Sequence, residues 1–166
     1  MQINRVRQSF DQTTLLKIMP ALVFSKMFYC STVWSNTTNK NITKLQLLQN
    51  FACKIVTGTR KYDHVSPLLR QLNWKPVQQC LDHRDLVLTY KCVKNLAPEY
   101  LCKKFQKRPH DRVTRNSDLL QIPRFKTSTG QRTFSYRAVT LWNNLDKDVK
   151  DSKSLNSFKK ALKDLL

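Results

Sequence analysis

The stretch GQRTFSYRAVTLWNNLD, Gly130–Asp146, sets arginines beside aromatic residues, and the question is what those rings do. If the stretch is helical, its apolar residues recur every three or four positions, at Phe134, Ala138, Leu141, Trp142 and Leu145. A stripe with this period occupies about a third of a helix and faces a core. We therefore predict a core helix that buries Trp142. Tyr136 points away from the stripe, toward the side of Arg132 and Asn143, and is the ring left to stack on a base.

The same period predicts two helices in the first half of the chain. Arg5 to Tyr29 is apolar and predicts a helix that bends or breaks at Pro20, because proline lacks the N–H that a helix requires. Ile42–Thr57 predicts a second helix, with Gly58 as its C-terminal cap. Its expected inner face consists of Ile42, Leu45, Leu48, Phe51, Ala52, Ile55 and Val56, and its outer face of Gln46, Asn50 and Lys54.

Three more helices are predicted around the opening stretch. Ser66 and Pro67 have the order of a cap and a first helical residue. Pro76 starts a longer helix that runs to about Asn95, and another begins near Ser154. Their expected core residues are Val77, Cys80, Leu81, Leu88 and Cys92 in the first, and Leu155, Phe158, Leu162 and Leu165 in the second.

Between these helices the apolar period breaks down. The basic segment Lys103–Asp118 has little to bury and predicts a loop or arm, and a short extended segment is expected near residues 119–125. The sequence therefore predicts a mainly α, irregular helical domain. We expect one domain in four parts: a helical lead-in at 1–36, a helical core at 37–101, a basic arm at 102–129 and a C-terminal helix pair at 130–166.

Charge is the clearest functional signal in the sequence. The 166 residues include 30 Lys and Arg against 11 Asp and Glu, a formal net charge of +19. A charge of this size repels itself in a compact chain and indicates a polyanionic partner. Nucleic acid is the favoured partner, and an acidic membrane surface or an acidic protein is the alternative. With no transmembrane or signal segment in the pattern, we expect an intracellular protein, nuclear or cytoplasmic and not secreted.

Several kinds of active site are not indicated. Gly58 and Gly130 are the only glycines, so the chain lacks a glycine-rich phosphate loop. The five cysteines include no CxxC pair, and we expect no metal site and no cofactor. Asp82, His83 and Asp85 resemble an acid–base cluster, but we expect them to lie on a solvated helix face and to form local ion pairs with Arg84. We predict no catalytic residue.

The candidate nucleic-acid contacts follow from charge and expected exposure. Lys103–Arg137 holds ten Lys and Arg against two Asp, and arginine is suited to forked contacts with phosphate. A scattered basic surface is the alternative interpretation. The predicted binding residues are Arg60, Lys61, Arg108, Arg112, Arg115, Arg124, Lys126, Arg132, Tyr136 and Arg137.

Five segments in fixed order resemble the region that follows the polymerase core in non-LTR, LINE-type, jockey-like retrotransposon reverse transcriptases. Together they span nearly the whole chain, and it is their order that makes the resemblance specific. They are ALVFSKMFYCSTVWSN (Ala21–Asn36), NITKLQLLQNFACKIVTGTRKYDHVSPLLRQLNWKPV (Asn41–Val77), APEYL (Ala97–Leu101), GQRTFSYRAVTLWNNLD (Gly130–Asp146) and SLNSFKKAL (Ser154–Leu162).

The resemblance implies a parent protein with an endonuclease, an RNA-directed DNA polymerase core and then this region. Such a region, which includes the end of the thumb, is expected to help hold template RNA and target DNA. The family's Tyr/Phe-Ala-Asp-Asp catalytic turn and the C-terminal Cys/His knuckle of some members are both missing from this sequence. The resemblance therefore implies a non-catalytic, C-terminal fragment whose partners are RNA, DNA or a reverse-transcriptase core.

Two alternatives stay open beside nucleic-acid binding. A helical scaffold that packs on a polymerase thumb would expose apolar residues on the first helix. A continuous positive stripe from Arg108 to Arg137 would favour nucleic-acid binding. The third interpretation is a decayed open reading frame without a cellular role.

Overall fold

The computed structural model describes residues 2–109 and 119–165 and confirms a mainly α, irregular helical fold. Its internal contacts group into two compact units. Of the described residues, 2–31 and 37–80 belong to the first unit, and 32–36, 81–109 and 119–165 to the second. The single domain and its four parts stay a prediction.

Most of the helices are short. Within the described residues, none combines the length and apolarity that a bilayer-spanning helix requires. A 3-10 helix covers Arg7–Ser9, and a π-helical segment covers Met19–Phe24. The α-helices are α1 Gln2–Arg5, α2 Gln12–Ile18, α3 Ser25–Met27, α4 Ser31–Trp34, α5 Asn39–Thr57, α6 Ser66–Gln71, α7 Val77–Val93, α8 Glu99–Cys102, α9 Ser128–Gln131, α10 Phe134–Asn143, α11 Lys147–Lys150 and α12 Leu155–Leu165.

The N-terminal helix breaks at a different place from the predicted one. Phe10 and Asp11 have extended backbones and end the helical run there. From α2 to α3 the chain stays helical through Pro20, which lies in the π-helical segment. The Ser25 N–H bonds to the Pro20 carbonyl, five residues back, so the wider turn accommodates a residue that cannot donate. The predicted break at Pro20 does not occur, and a π turn takes its place, while the predicted bend stays a prediction.

Helix α5 ends as predicted but turns a different face inward. Gly58 closes it with a left-handed φ of +70°, which confirms the predicted cap. Leu48 and Phe51, expected in the core, are 38% and 42% exposed, so that part of the prediction is wrong. Gln49 is buried in their place because its side-chain amide donates to the Lys75 carbonyl at 2.9 Å.

Gln46 also has a structural role instead of a solvent-facing one. Its Oε1 accepts the Val77 N–H at 2.8 Å, at the first residue of α7. Its Nε2 donates to Gln49 and to Asn50, each at 2.9 Å. A glutamine pair on α5 therefore holds the start of α7, where a backbone N–H would otherwise have no helical acceptor.

The first unit packs α2, the π-helical segment and α5 around a small apolar core. The rings of Phe24 and Trp74 meet edge to face at 4.8 Å beside this core. In α6, Ser66 is the first helical residue and Val65 takes the cap position that was predicted for Ser66. The buried core residues are Leu15, Met19, Ala52, Ile55 and Val56.

The second unit is built around an aromatic cluster. Trp142 is 3% exposed, which confirms its predicted place in the core. Tyr90 stacks on Phe158 with 4.4 Å between ring centroids, and Trp142 lies 5.9 Å from Phe158. The Tyr90 hydroxyl donates to the Ser152 carbonyl at 2.8 Å, so its polar end is satisfied. In α12, Phe158 and Leu162 are buried as predicted, whereas Leu165 is exposed.

The extended segment after residue 118 pairs with the chain before residue 109. The Arg108 N–H bonds to the Leu119 carbonyl and the Gln121 N–H to the Gln106 carbonyl, both at 2.9 Å, around one antiparallel bridge. Asn143 of α10 accepts the Leu120 N–H at 2.9 Å and donates to the Leu120 carbonyl at 3.0 Å. One side chain of α10 thus holds the segment through both backbone groups of Leu120.

We expect Gly58→Ala to lower the free energy of unfolding by about 1 to 2 kcal/mol, measured by urea denaturation. A Cβ at this position would have open space, so the loss would come from the left-handed backbone and not from a clash. Gly58→Asn is the control and should lose less, because asparagine tolerates this conformation. Equal losses for Ala and Asn would contradict this explanation.

Candidate nucleic-acid interface

Asp85 lies in the interior of the second unit, contrary to the prediction of a solvated face. It is 1% exposed, on the same side of α7 as Leu81 and Thr89. Four-residue spacing from Leu81 places it on the inner stripe, and the sequence interpretation overlooked this. Its partner is Arg137 of α10 and not Arg84.

Arg137 has every guanidinium nitrogen engaged inside the second unit. Nε and Nη2 donate to the Asp85 Oδ2 at 3.1 and 2.9 Å, and Nη2 also donates to the Ser35 hydroxyl at 2.7 Å. Nη1 donates to the Arg132 carbonyl. The structure therefore gives Arg137 a role in joining three parts of one unit. Its contact with phosphate stays a prediction, and phosphate would have to compete with Asp85 for the guanidinium group.

The contact with Arg137 only partly stabilises the ionised form of the buried Asp85 carboxyl. Within the described residues, its Oδ1 is buried and accepts no hydrogen bond. Burial raises the pKa of Asp85 from 3.8 to about 6, and the neighbouring Arg137 charge offsets only part of that shift. The expectation of a solvated carboxyl is therefore wrong for Asp85.

Two other predicted cations, Arg108 and Arg124, line one open groove of about 550 Å³ in the second unit. Both side chains are exposed. The antiparallel bridge between residues 107 and 120 brings their two chain segments together. The remaining lining residues of this groove, called here the Arg108–Arg124 groove, are Pro109, Gln121, Ile122, Pro123, Phe125 and Tyr136.

Tyr136 lies in the Arg108–Arg124 groove, half-buried, where the sequence predicted a ring turned away from the core. Phe125 faces it, with ring centroids 6.3 Å apart and an interplanar angle of 64°. Phe125 was not predicted as a site residue. The signal for it was an aromatic residue between Arg124 and Lys126 in a segment without helical period.

The other predicted residues are distributed unevenly. Lys126 is exposed, next in sequence to Phe125. Arg132 is half-buried, and its Nη2 donates to the Thr129 hydroxyl at 3.1 Å. Arg60 and Lys61 are exposed but belong to the first unit, so a surface shared with the groove stays a prediction. Arg112 and Arg115 lie outside the described residues.

Two observations on the described part of the chain concern metal ligands and thiols. No three His, Cys, Asp or Glu residues within it stand close enough to hold a metal ion. Burial raises the pKa of the Cys92 thiol to about 11, with a further contribution from Cys102. Cys92 is therefore protonated at neutral pH and a poor nucleophile or ligand.

No protein-family model, curated protein or solved structure matches this chain.

We expect Asp85 to make the fold less stable as pH rises from about 4 to about 6. A carboxyl whose folded-state pKa is raised stabilises the fold fully below its unfolded pKa and loses that contribution as pH passes the folded value. Asp85→Asn removes this titration. As pH rises from about 4 to about 6, the free energy of unfolding of wild type should therefore fall by up to about 3 kcal/mol relative to that of the variant. Urea denaturation at a series of pH values measures the difference.

Arg137→Met is the companion variant. Without the guanidinium charge, the pKa of Asp85 should rise further and the loss of stability should extend to higher pH. A free-energy difference between wild type and Asp85→Asn that stays constant with pH would contradict the buried, perturbed carboxyl.

Proposed function

We propose that this chain is a non-catalytic C-terminal fragment of a retrotransposon RNA-directed DNA polymerase that binds RNA or DNA backbone, largely without sequence specificity. The observation that carries the proposal is the Arg108–Arg124 groove, in which two exposed guanidinium groups stand beside aromatic rings. The proposed parent protein rests on the resemblance to the post-polymerase region of jockey-like elements.

The groove's cations have no competing partner within the part of the chain that the structure describes. Neither Arg108 nor Arg124 forms an ion pair there, in contrast to Arg137 with Asp85. An exposed arginine without a carboxylate is free to make the forked contact that phosphate accepts. Two such groups in one groove can contact two phosphates of the same strand.

The charge of the chain supports backbone binding without base readout. The first unit contains eleven Lys and Arg against Asp11 and Asp63, and the chain as a whole is at +19. Binding through phosphates releases counterions, so affinity falls steeply with salt and changes little with sequence. A continuous positive stripe from Arg108 to Arg137 would have favoured this function further, but Arg137 is turned inward to Asp85.

Arg108→Ala/Arg124→Ala should weaken binding to all sequences and flatten the salt slope by about two units, because each arginine neutralises one phosphate. Filter binding of the full chain to RNA and DNA across a salt series measures both quantities. The matched control is Lys159→Ala/Lys160→Ala, which removes the same charge from exposed positions on α12.

The control pair should change the salt slope by clearly less than the groove pair. Equal effects would mean that the whole basic surface binds and the groove is not the site. Retention that does not respond to salt, or no retention at all, would contradict nucleic-acid binding itself.

The second candidate function, a scaffold that packs on a polymerase core, is favoured by a separate observation. Apolar side chains of the lead-in are exposed, among them Leu22 at 58% and Phe10 at 41%. On the face of α5, Leu47 is also exposed. A partner that covered these side chains would remove their apolar surface from water.

Phe10→Ser/Leu22→Ser should abolish co-purification with a jockey-like reverse-transcriptase core if the scaffold interpretation holds, because less apolar area would be buried between the two proteins. Tyr62→Ser is the control, an exposed aromatic of the same unit outside the lead-in. Co-purification that the double variant leaves intact would count against the scaffold. Nucleic-acid binding should be unchanged in both variants.

A further inference from the structure

The Arg108–Arg124 groove has an aromatic side whose position is fixed by its neighbours. Phe125 and Tyr136 meet edge to face, and Phe125 is 37% exposed. In an edge-to-face pair, the ring that presents its edge keeps both faces clear of the other ring. Part of an aromatic surface is therefore open to solvent beside the two guanidinium groups.

Gly130 sets the place of the Phe125 ring. A Cβ atom at residue 130 would lie 2.7 Å from the Phe125 Cβ and 2.8 Å from its Cγ, closer than two side chains can approach. The glycine is itself held, because its N–H donates to the Thr127 hydroxyl at 3.1 Å and its carbonyl accepts from Thr133 at 2.7 Å. The absence of a side chain at Gly130 is thus a requirement of the Phe125 position.

The backbone under the groove is equally constrained. Leu120 is held by Asn143 at both its N–H and its carbonyl, and the neighbouring residues pair with 106 and 108. Arg108 therefore extends from a segment that is hydrogen-bonded in place, and Arg124 lies three residues after Gln121, where that pairing ends. A preorganised site loses less conformational entropy on binding than a free arm would.

We infer that the Arg108–Arg124 groove binds an unpaired nucleotide, with its base stacked on Phe125 beside Tyr136 and its flanking phosphates on Arg108 and Arg124. This inference rests on the proposed function and deepens it from backbone binding to a preference for single strands. The volume of about 550 Å³ is in the range of sites for small organic groups, and aromatic side chains stack on any base.

A duplex cannot satisfy the same arrangement. Its bases are stacked on each other, so an aromatic side chain reaches a base face only at an end or after a base has been flipped out. Duplex RNA or DNA would contact the arginines alone. The groove should therefore bind single-stranded RNA or DNA more tightly than a duplex of equal length.

The experiment compares two strands that carry the same phosphates. Fluorescence anisotropy of the full chain is measured with an oligouridine of about 12 nucleotides, and with the same strand in which central nucleotides are abasic. We expect the intact strand to bind more tightly, from about fivefold to about 150-fold for each stacked base. A duplex of the same length should bind more weakly than the intact strand.

Variants separate the two halves of the site. Phe125→Leu keeps an apolar side chain, and it should lower the affinity for the intact strand to that for the abasic strand. Gly130→Ala should do the same by displacing the ring. Arg108→Ala/Arg124→Ala should weaken both strands equally. The control is Tyr100→Ala, an aromatic of the second unit that is 68% exposed outside the groove and should change neither strand.

The outcomes distinguish this inference from the proposed function. Salt-sensitive binding with equal affinity for intact and abasic strands would overturn the stacking site and leave backbone binding in place. Failure of every strand to bind would overturn both. Polyglutamate that competes as well as the intact strand would also overturn the inference, because the groove would then select charge and not a base.

Discussion

The buried contact between Arg137 and Asp85 is the constraint on which the second unit depends. It joins α10 to α7, and through the Ser35 hydroxyl it adds the short segment 32–36 to the same unit. The Asp85 side chain is removed from water and that of Arg137 is 18% exposed, and an isolated buried charge would cost several kcal/mol. Helices α10 and α7 therefore have to keep Arg137 and Asp85 in contact. The aromatic cluster packs beside them.

Helix α10 directs a different side chain to each part of its surroundings. Trp142 enters the aromatic core, Arg137 pairs with Asp85, and Asn143 holds the extended segment at Leu120. Tyr136 lies in the Arg108–Arg124 groove. The residue mixture of the opening stretch thus reflects one short helix that supports a core, an ion pair, a backbone clamp and one side of a groove.

Sequence patterns predicted those features that depend on local periodicity. Trp142, Phe158 and Leu162 were placed in the core by their spacing, and Gly58 was placed at a helix end by its position after an apolar run. Periodicity could not identify Gln49, because its burial depends on an acceptor 26 residues away, the Lys75 carbonyl. It also could not show that Leu48 and Phe51 would be exposed, since a helix with apolar residues on half of its surface has no unique inner face.

The candidate site also contains residues that the sequence predicted and residues that it could not. Arg108, Arg124 and Tyr136 were predicted from charge and helical geometry, and the structure brings all three to one groove. Arg137 could not be separated from them, because a buried arginine and a phosphate-binding arginine look alike until the partner carboxylate is located. Asp85 carried a usable signal in its spacing from Leu81, but its charge argued against burial. Phe125 lies outside any helical period and depends on Gly130 for its position.

The most direct test of the account is an NMR titration of the isotope-labelled chain with a short single-stranded oligonucleotide, following both backbone amides and arginine side chains. The account predicts saturable chemical-shift changes at Arg108, Arg124, Phe125 and Tyr136. The Arg137 Nε–H signal should stay in place, because this N–H already donates a hydrogen bond to Asp85. Shifts centred on the Arg137 side chain, with the groove residues unchanged, would contradict it.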